Sequence, residues 1–245
     1  KVEALSKKYR LWFSTPGKTM ASVNADLVID ASGQAAAFAR RLGVARNLFD
    51  EVISICAFND EESGPPESAH TFNQTRDIGW WYGARLPGMR GIVALCTDRE
   101  TLRAQSLADP KHWRFALSRT EWFNEQMQRQ LGVVIPEPAR LFLKSAPSAI
   151  LSNVIGQNWL AVGDAASSYD SMTSAGITKA LLQAHQAGEA VAEWCKDGSG
   201  HALHDFQKQV FDDFNQYMRL HQQHYRRETR FARSPFWRNR LRYAG

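Results

Sequence analysis

Two kinds of apolar pattern divide this chain. One is a short unbroken run that stops at small residues. Ala25-Asp26-Leu27-Val28-Ile29-Asp30 is rich in β-branched side chains and ends in Ala31-Ser32-Gly33, ahead of a helical stretch from Ala35 to Leu42. Such runs suit strands buried on both faces of a parallel sheet. Trp159-Leu160-Ala161-Val162 repeats the form and runs into Gly163-Asp164-Ala165-Ala166. The other pattern is β-branched and aromatic, cut by turn residues. It covers Val52 to Phe58, Ala69 to Gln74, Gly79 to Leu86 and Gly91 to Thr97, with Glu61-Glu62-Ser63-Gly64-Pro65-Pro66 as a breaker. This texture predicts an antiparallel sheet inserted after the first strand–turn–helix unit.

Tyr9 to Ser14 alternates like a strand and leads into Thr15-Pro16-Gly17-Lys18, which has turn chemistry. Helical spacing predicts segments at Arg99 to Leu107, Lys111 to Leu117 and Glu121 to Leu131, followed by a strand at Arg140 to Ser145. Gly176 opens a long helix to Trp194. Its apolar positions Ile177, Ala180, Leu181, Ala184, Ala187, Gly188, Val191 and Trp194 predict the sheet-facing side, and Lys179, Gln183, Gln186 and Glu189 the opposite side. His201 to Phe231 reads as one amphipathic helix with Phe206, Val210, Phe214, Tyr217 and His221 on one face, and Pro235 starts a last short helix. There is no internal repeat. The expected divisions are 1–50, 51–150, 151–196 and 197–245.

At 245 residues and 44% hydrophobic content the chain can bury a sizeable core. No apolar run reaches the ~18 residues of a membrane span. Neither a secretory leader nor an initiator Met opens the sequence, so a cytoplasmic protein with a cut or processed N-terminus is expected. Cys56, Cys96 and Cys195 lie far apart with no CxxC, which argues against a zinc ribbon or a disulfide framework and for reduced thiols. The net charge of +5 is concentrated after Arg219, where eight arginines face the single acid Glu228. With Phe231, Phe236 and Trp237 interleaved, that tail could meet single-stranded nucleic acid. The reading placed ahead of it is a docked helix whose arginines pair with carboxylates.

The two small-residue turns carry the chemistry, because ligands of open α/β sheets sit where strands end. Gly163 lets backbone approach a bound group, Asp164 can accept from a sugar hydroxyl, and the alanines keep the space open. Gly176-Ile177 puts free N–H groups at a helix start, which favours an anion. Alone, GDAA is also an ordinary strand exit with a capping Asp. Neither His201 with His204 nor His221 with His224 has the neighbouring ligands of a metal site.

The combination of DASG after one strand, GDAA after another and a Gly-started helix resembles the FAD-dependent monooxygenases and flavin-dependent halogenases, over about Ala25 to Arg240. The resemblance implies an α/β fold: an FAD-binding parallel sheet, an inserted antiparallel-sheet substrate domain and C-terminal helices. Asp30, Ala31, Ser32 and Gly33 would lie by the ADP half of FAD. Gly163, Asp164 and Ala165 would hold the ribityl chain, and Ala175, Gly176 and Ile177, closing the stretch from Asp170, would face the flavin ring. Ser234-Pro235-Phe236-Trp237-Arg238 is similar to C-terminal helices of halogenase-like members. The family's N-terminal GxGxxG unit is absent from this sequence, so the sheet is expected to be completed by a segment supplied as a separate chain, a cleaved fragment or an omitted region.

The resemblance also implies oxygen chemistry through a flavin hydroperoxide, with electrons from NADH, NADPH or a partner reductase. Against the halogenase stretch WxWxIP this chain has Trp80-Trp81-Tyr82-Gly83-Ala84-Arg85-Leu86-Pro87, and Thr173 stands where the tryptophan-acting group has Glu. Both departures favour hydroxylation of an electron-rich aromatic over halogenation. Trp80, Tyr82 and Thr173 are the substrate-pocket candidates, although aromatics on a strand equally well pack a sheet face. The substrate is a small aromatic or, as in a family branch acting in quinone-cofactor maturation, a tryptophan side chain in a polypeptide. A non-catalytic basic binding module is the competing class.

Overall fold

The computed structural model describes residues 1–6, 8–14, 20–59, 70–87, 90–135 and 140–241. The expected turn at Thr15 to Lys18, the cluster Glu61 to Pro66 and Arg242 lie outside the described residues. In chain order the strands and helices begin with β1 (Val2–Ala4), β2 (Tyr9–Ser14), β3 (Met20–Ala25), β4 (Val28–Asp30) and α1 (Ala37–Arg41). Then come β5 (Arg46–Asn59), β6 (Thr71–Arg76), β7 (Gly79–Arg85), β8 (Gly91–Asp98), α2 (Arg99–Ala104), α3 (Pro110–Ser118) and α4 (Glu121–Leu131). The chain continues through β9 (Leu141–Leu151), β10 (Ile155–Gly156), β11 (Trp159–Ala161), β12 (Ser167–Ser168), α5 (Gly176–Asp197), α6 (His201–Arg226) and α7 (Pro235–Leu241).

The chain divides into two units, Lys1–Phe49 with Ser148–Arg219, and Asp50–Pro147 with Leu220–Gly245. Residues 197–219 fall in the first unit and 220–245 in the second.

The first unit holds an antiparallel β1-β2-β3 sheet and a second sheet ordered β10-β11-β4. The run expected as one strand from Ala25 to Asp30 breaks into the end of β3 and a separate β4. Only one side of β4 is paired among the described residues, and its Ile29 is 48% exposed, unlike a strand covered on both faces. The core of this unit uses small side chains: Ala36, Ala39, Ala161, Ala165, Ala166, Ala187 and Ala190 pack with Trp159, Phe206 and Phe214.

In the second unit the sheet runs β9-β5-β8-β7-β6, antiparallel in the β5–β8, β8–β7 and β7–β6 pairs. Strand alternation sends Trp81 and Gly83 to one face and Trp80 and Tyr82 to the other. The helices α3 and α4 cover the first face, where Trp81, Trp113, Phe123, Met127 and Leu131 form the core. Gly83 gives these side chains room, since a Cβ there would meet Met127 and Phe123, which would have to shift. Sequence signals set the helix starts: Asp98 accepts from Thr101 N at 2.8 Å, and Asp109 accepts from Lys111 N at 2.7 Å with Pro110 next to it.

The basic tail is partly consumed by this unit. Arg240 is buried, bonding Asp50 at 2.9 Å and Asp98 at 3.3 Å, and its guanidinium lies 3.7 Å from the Phe236 ring centroid. Phe236 and Trp237 are buried as well, and the Trp237 indole donates to Arg76 O at 2.6 Å. The helix expected to reach Phe231 stops at Arg226, because Glu228 folds into a local turn that accepts from Arg230 N at 2.9 Å.

Candidate functional site

In the first unit β4 and β11 are parallel, with Val28 opposite Trp159 and Asp30 opposite Ala161. Val162 N donates to Asp30 O at 3.0 Å, so the pairing persists to the strand ends. The turns after Asp30 and after Val162 consequently leave side by side at the carboxyl edge, which is where such sheets bind ligands.

The two acids at these turns have different occupations. Asp30 is 3% exposed. Its Oδ1 accepts from Ser32 N at 3.1 Å and Ser32 Oγ at 2.5 Å, and its Oδ2 from Phe38 N at 2.9 Å and Ala39 N at 3.0 Å. Both oxygens are thus committed to shaping the turn and capping α1. What the turn presents outward is Ala31, Ser32 and Gly33, with Gly33 at φ +65 beside open space. Ala36 follows at φ 42, a left-handed conformation costing about 1 kcal/mol for a residue with a Cβ.

Asp164, by contrast, has a side chain 40% exposed, with Oδ1 taken by Lys179 Nζ at 2.9 Å. Its backbone is clamped: the Arg46 guanidinium donates to Asp164 O at 3.2 Å and to Ser168 Oγ at 2.8 Å. Gly163 takes φ +59, which only a residue without a Cβ adopts cheaply, and its N–H donates to Gln183 Oε1 at 2.9 Å. Ala165 and Ala166 are fully buried beneath.

Lys179 also donates to Ser167 O and lies 4.7 Å from the Tyr169 ring centroid. Burial pushes its ammonium below the ordinary lysine range, and the hydrogen bond it donates to Asp164 pulls it partly back. Burial likewise lowers Arg46, against the attraction of Asp164. The Tyr169 phenol is pushed up, first by burial and then by the charge of Asp213.

The loop into α5 is ordered by Asp170, whose carboxylate accepts from Met172 N at 3.0 Å and whose N–H donates to Tyr217 Oη at 2.7 Å. Thr173 Oγ1 donates to Asp170 O at 3.2 Å. Ala175 precedes the helix with no side-chain cap, and Gly176 and Ile177 are exposed, so the helix start stays open.

The faces of α5 differ from the sequence expectation. Lys179 and Gln183, expected outside, are buried at 6% and 1%, with Ala187 and Ala190 on the same side. Ile177, Leu181 and Leu182 are exposed at 79%, 68% and 58%. The helix carries two stripes at helical spacing, and the polar one faces in because it satisfies Gly163 N, Asp164 and Ser167 O. Periodicity finds stripes without saying which is buried. No local signal in the sequence marks this cluster, because the partners of Lys179 come from the preceding turn.

Trp80 and Tyr82 share a face of β7 in the second unit, whereas Thr173 belongs to the first. Trp80 is 5% exposed and its indole approaches Tyr225 Oη at 3.4 Å, while Tyr82 is half-buried. A cavity of about 240 Å³ in the second unit opens beside Trp81, Ile78, Leu107, Arg76, His112 and Arg119, on the helix-covered side.

No protein-family model matches the chain. Its sequence is 27% identical over 240 residues to LodB of Marinomonas mediterranea, named as an FAD-dependent oxidoreductase, covering 98% of this chain and 63% of LodB. The chain thus spans less than two thirds of that relative. Among solved structures, the flavin-dependent halogenase CmlS superimposes with a TM-score of 0.80 at 21% identity, over 98% of this chain and 44% of CmlS. The peptidyl tryptophan dihydroxylase QhpG gives 0.74 at 20% identity, over 98% and 52%. The p-nitrophenol 4-monooxygenase PnpA of Pseudomonas putida gives 0.64 at 16% identity, over 89% and 53%. The expected α/β architecture, with antiparallel sheets and C-terminal helices, is therefore that of these proteins: the chain has the fold of the flavin-dependent halogenases and monooxygenases.

Proposed function

We propose that this chain is the larger part of an FAD-dependent oxidoreductase whose cofactor lies across the carboxyl ends of β4 and β11. The observation that carries this reading is the half-exposed Asp164 carboxylate at the end of β11, in the same unit as the uncapped start of α5. The residues present fit the group. Asp164 would accept from the ribityl hydroxyls, with Gly163 and Ala165 shaping the turn that presents it. Ser32 and Gly33 would border the adenosine half. The N–H groups after Ala175 would face the electron-rich edge of the ring, where a helix start favours negative charge. Bound and reduced, the flavin supplies the electrons that activate oxygen.

A strand–helix unit with GxGxxG would complete the site by pairing along the open edge of β4. Exposed Ile29, and the stripe of Ile177, Leu181 and Leu182, are the apolar surface that such a unit would cover. The proposed reaction is hydroxylation of an electron-rich aromatic, a tryptophan side chain in a polypeptide being the favoured case. Tyr82 and Thr173, which depart from the halogenase pattern, support hydroxylation. The likeness to QhpG supports the polypeptide.

The test is the visible absorption of the full-length protein. Two flavin bands are expected, and a protein that stays colourless with added FAD overturns the reading. The flavin-loaded protein is then given a tryptophan-containing peptide, chloride, and electrons from NADH, NADPH or a reductase in turn. A product gaining oxygen supports hydroxylation, and a product gaining chlorine refutes it.

A further inference from the structure

Buried lysines need a reason, because removing an ammonium from water is costly and an apolar side chain of similar length would pack as well. Lys179 is 5% exposed at its side chain, yet the carboxylate it pairs with is 40% exposed. Here the cation is hidden and the anion looks out.

The hydrogen bonds repeat that direction. Lys179 Nζ is held by Asp164 Oδ1 at 2.9 Å, by Ser167 O and by the face of Tyr169, so the protein uses its donors completely. Gln183, one turn further along the same face of α5, accepts from Gly163 N at 2.9 Å. Arg46 fixes the Asp164 carbonyl from another side at 3.2 Å. Gly163 and Asp164 are thereby held at backbone and side chain, with one oxygen of the carboxylate anchored while the side chain as a whole stays 40% exposed.

We propose that Lys179 is a positioning residue for cofactor binding: it anchors one oxygen of Asp164 so that the other is aimed at a polyol hydroxyl of the ligand. This rests on the flavin reading above and goes beyond it, since a charged residue of α5 becomes part of the site without touching the ligand. Pre-ordering an acceptor raises affinity for the part of a ligand that meets it and for no other part.

The experiment measures the dissociation constants of FAD and of ADP, which lacks the ribityl chain and the ring, on the full-length protein and on Lys179→Met. Expected is a loss of about tenfold or more for FAD with ADP binding within about twofold, a split that general loosening would not produce. Lys179→Arg keeps the charge but not the single-atom geometry, and about threefold weaker FAD binding is expected. Should Lys179→Met not fold, the arginine variant with its ADP control decides. Unchanged FAD affinity, or equal losses for FAD and ADP, overturns the proposal. A wild-type protein that binds no FAD overturns the flavin reading itself, and with it this inference.

Discussion

The two units differ in what surrounds the rings of their apolar cores, although each buries polar groups as well. The second fills its core with large rings: Trp81 and Trp113 meet edge to face at 5.2 Å, with Phe123 and Met127 beside them. The first packs alanines and carries polar groups inside, Asp30, Lys179, Gln183, Ser167 and Ser168 among them. Large rings contribute stability through area removed from water and contact density. Small side chains contribute less, but they let strand ends, turns and a helix start come close together, and the buried polar groups then hold those turns in place. A scaffold is expected from the large rings and a ligand-presenting surface from the small side chains.

Truncation at the centre of each unit separates these roles. Trp113→Ala removes a fully buried ring whose indole donates to Ile55 O at 3.2 Å. A loss of about 3–5 kcal/mol in denaturant unfolding is expected, with FAD affinity unchanged in the molecules that remain folded. Asp30→Ala leaves Phe38 N and Ala39 N without their acceptor. About 3 kcal/mol of destabilisation is expected, this time with FAD binding lost as well, because the turn itself is disordered. If Asp30→Ala leaves FAD binding intact, the contrast between the units fails.

The smallest effect belongs to acid. The hydrogen bond from Arg230, and then that from Thr75, hold the Glu228 carboxyl below its ordinary range, against a raising effect of burial. A carboxylate whose folded value is depressed stabilises the fold above its unfolded value and loses that contribution as pH falls through the folded one. Arg230 is 68% exposed, so solvent screening limits the effect to about 1 kcal/mol. Melting temperature measured downward through the ordinary carboxylate range is expected to fall less steeply for Glu228→Gln than for wild type. Identical slopes would remove Glu228 from the account.

Much of this architecture is legible in the sequence because its signals are local. Asp98, Asp109 and Pro110 mark helix starts, the apolar runs mark β4 and β11, and the aromatic alternation marks β7. The turn at Asp164 is legible as a small-residue strand exit. The role of Asp30 is not, since an acid that caps α1 and one that meets a ligand are spelled alike. The same holds for Arg240, whose partners Asp50 and Asp98 lie far away in sequence. In α5 the obstacle is different: burying Lys179 is favourable only once Asp164 and Ser167 O are in place, and those partners come from the preceding turn.

Chemical labelling offers a way into that helix. Cys56 and Cys96 are buried, whereas Cys195 is exposed near the far end of α5. A thiol-directed fluorophore would therefore attach at Cys195, and helix rise places it roughly 28 Å from Gly176. That separation suits energy transfer between the dye and a chromophore at the helix start. One native cysteine thus gives a built-in ruler for whatever the open end of α5 receives.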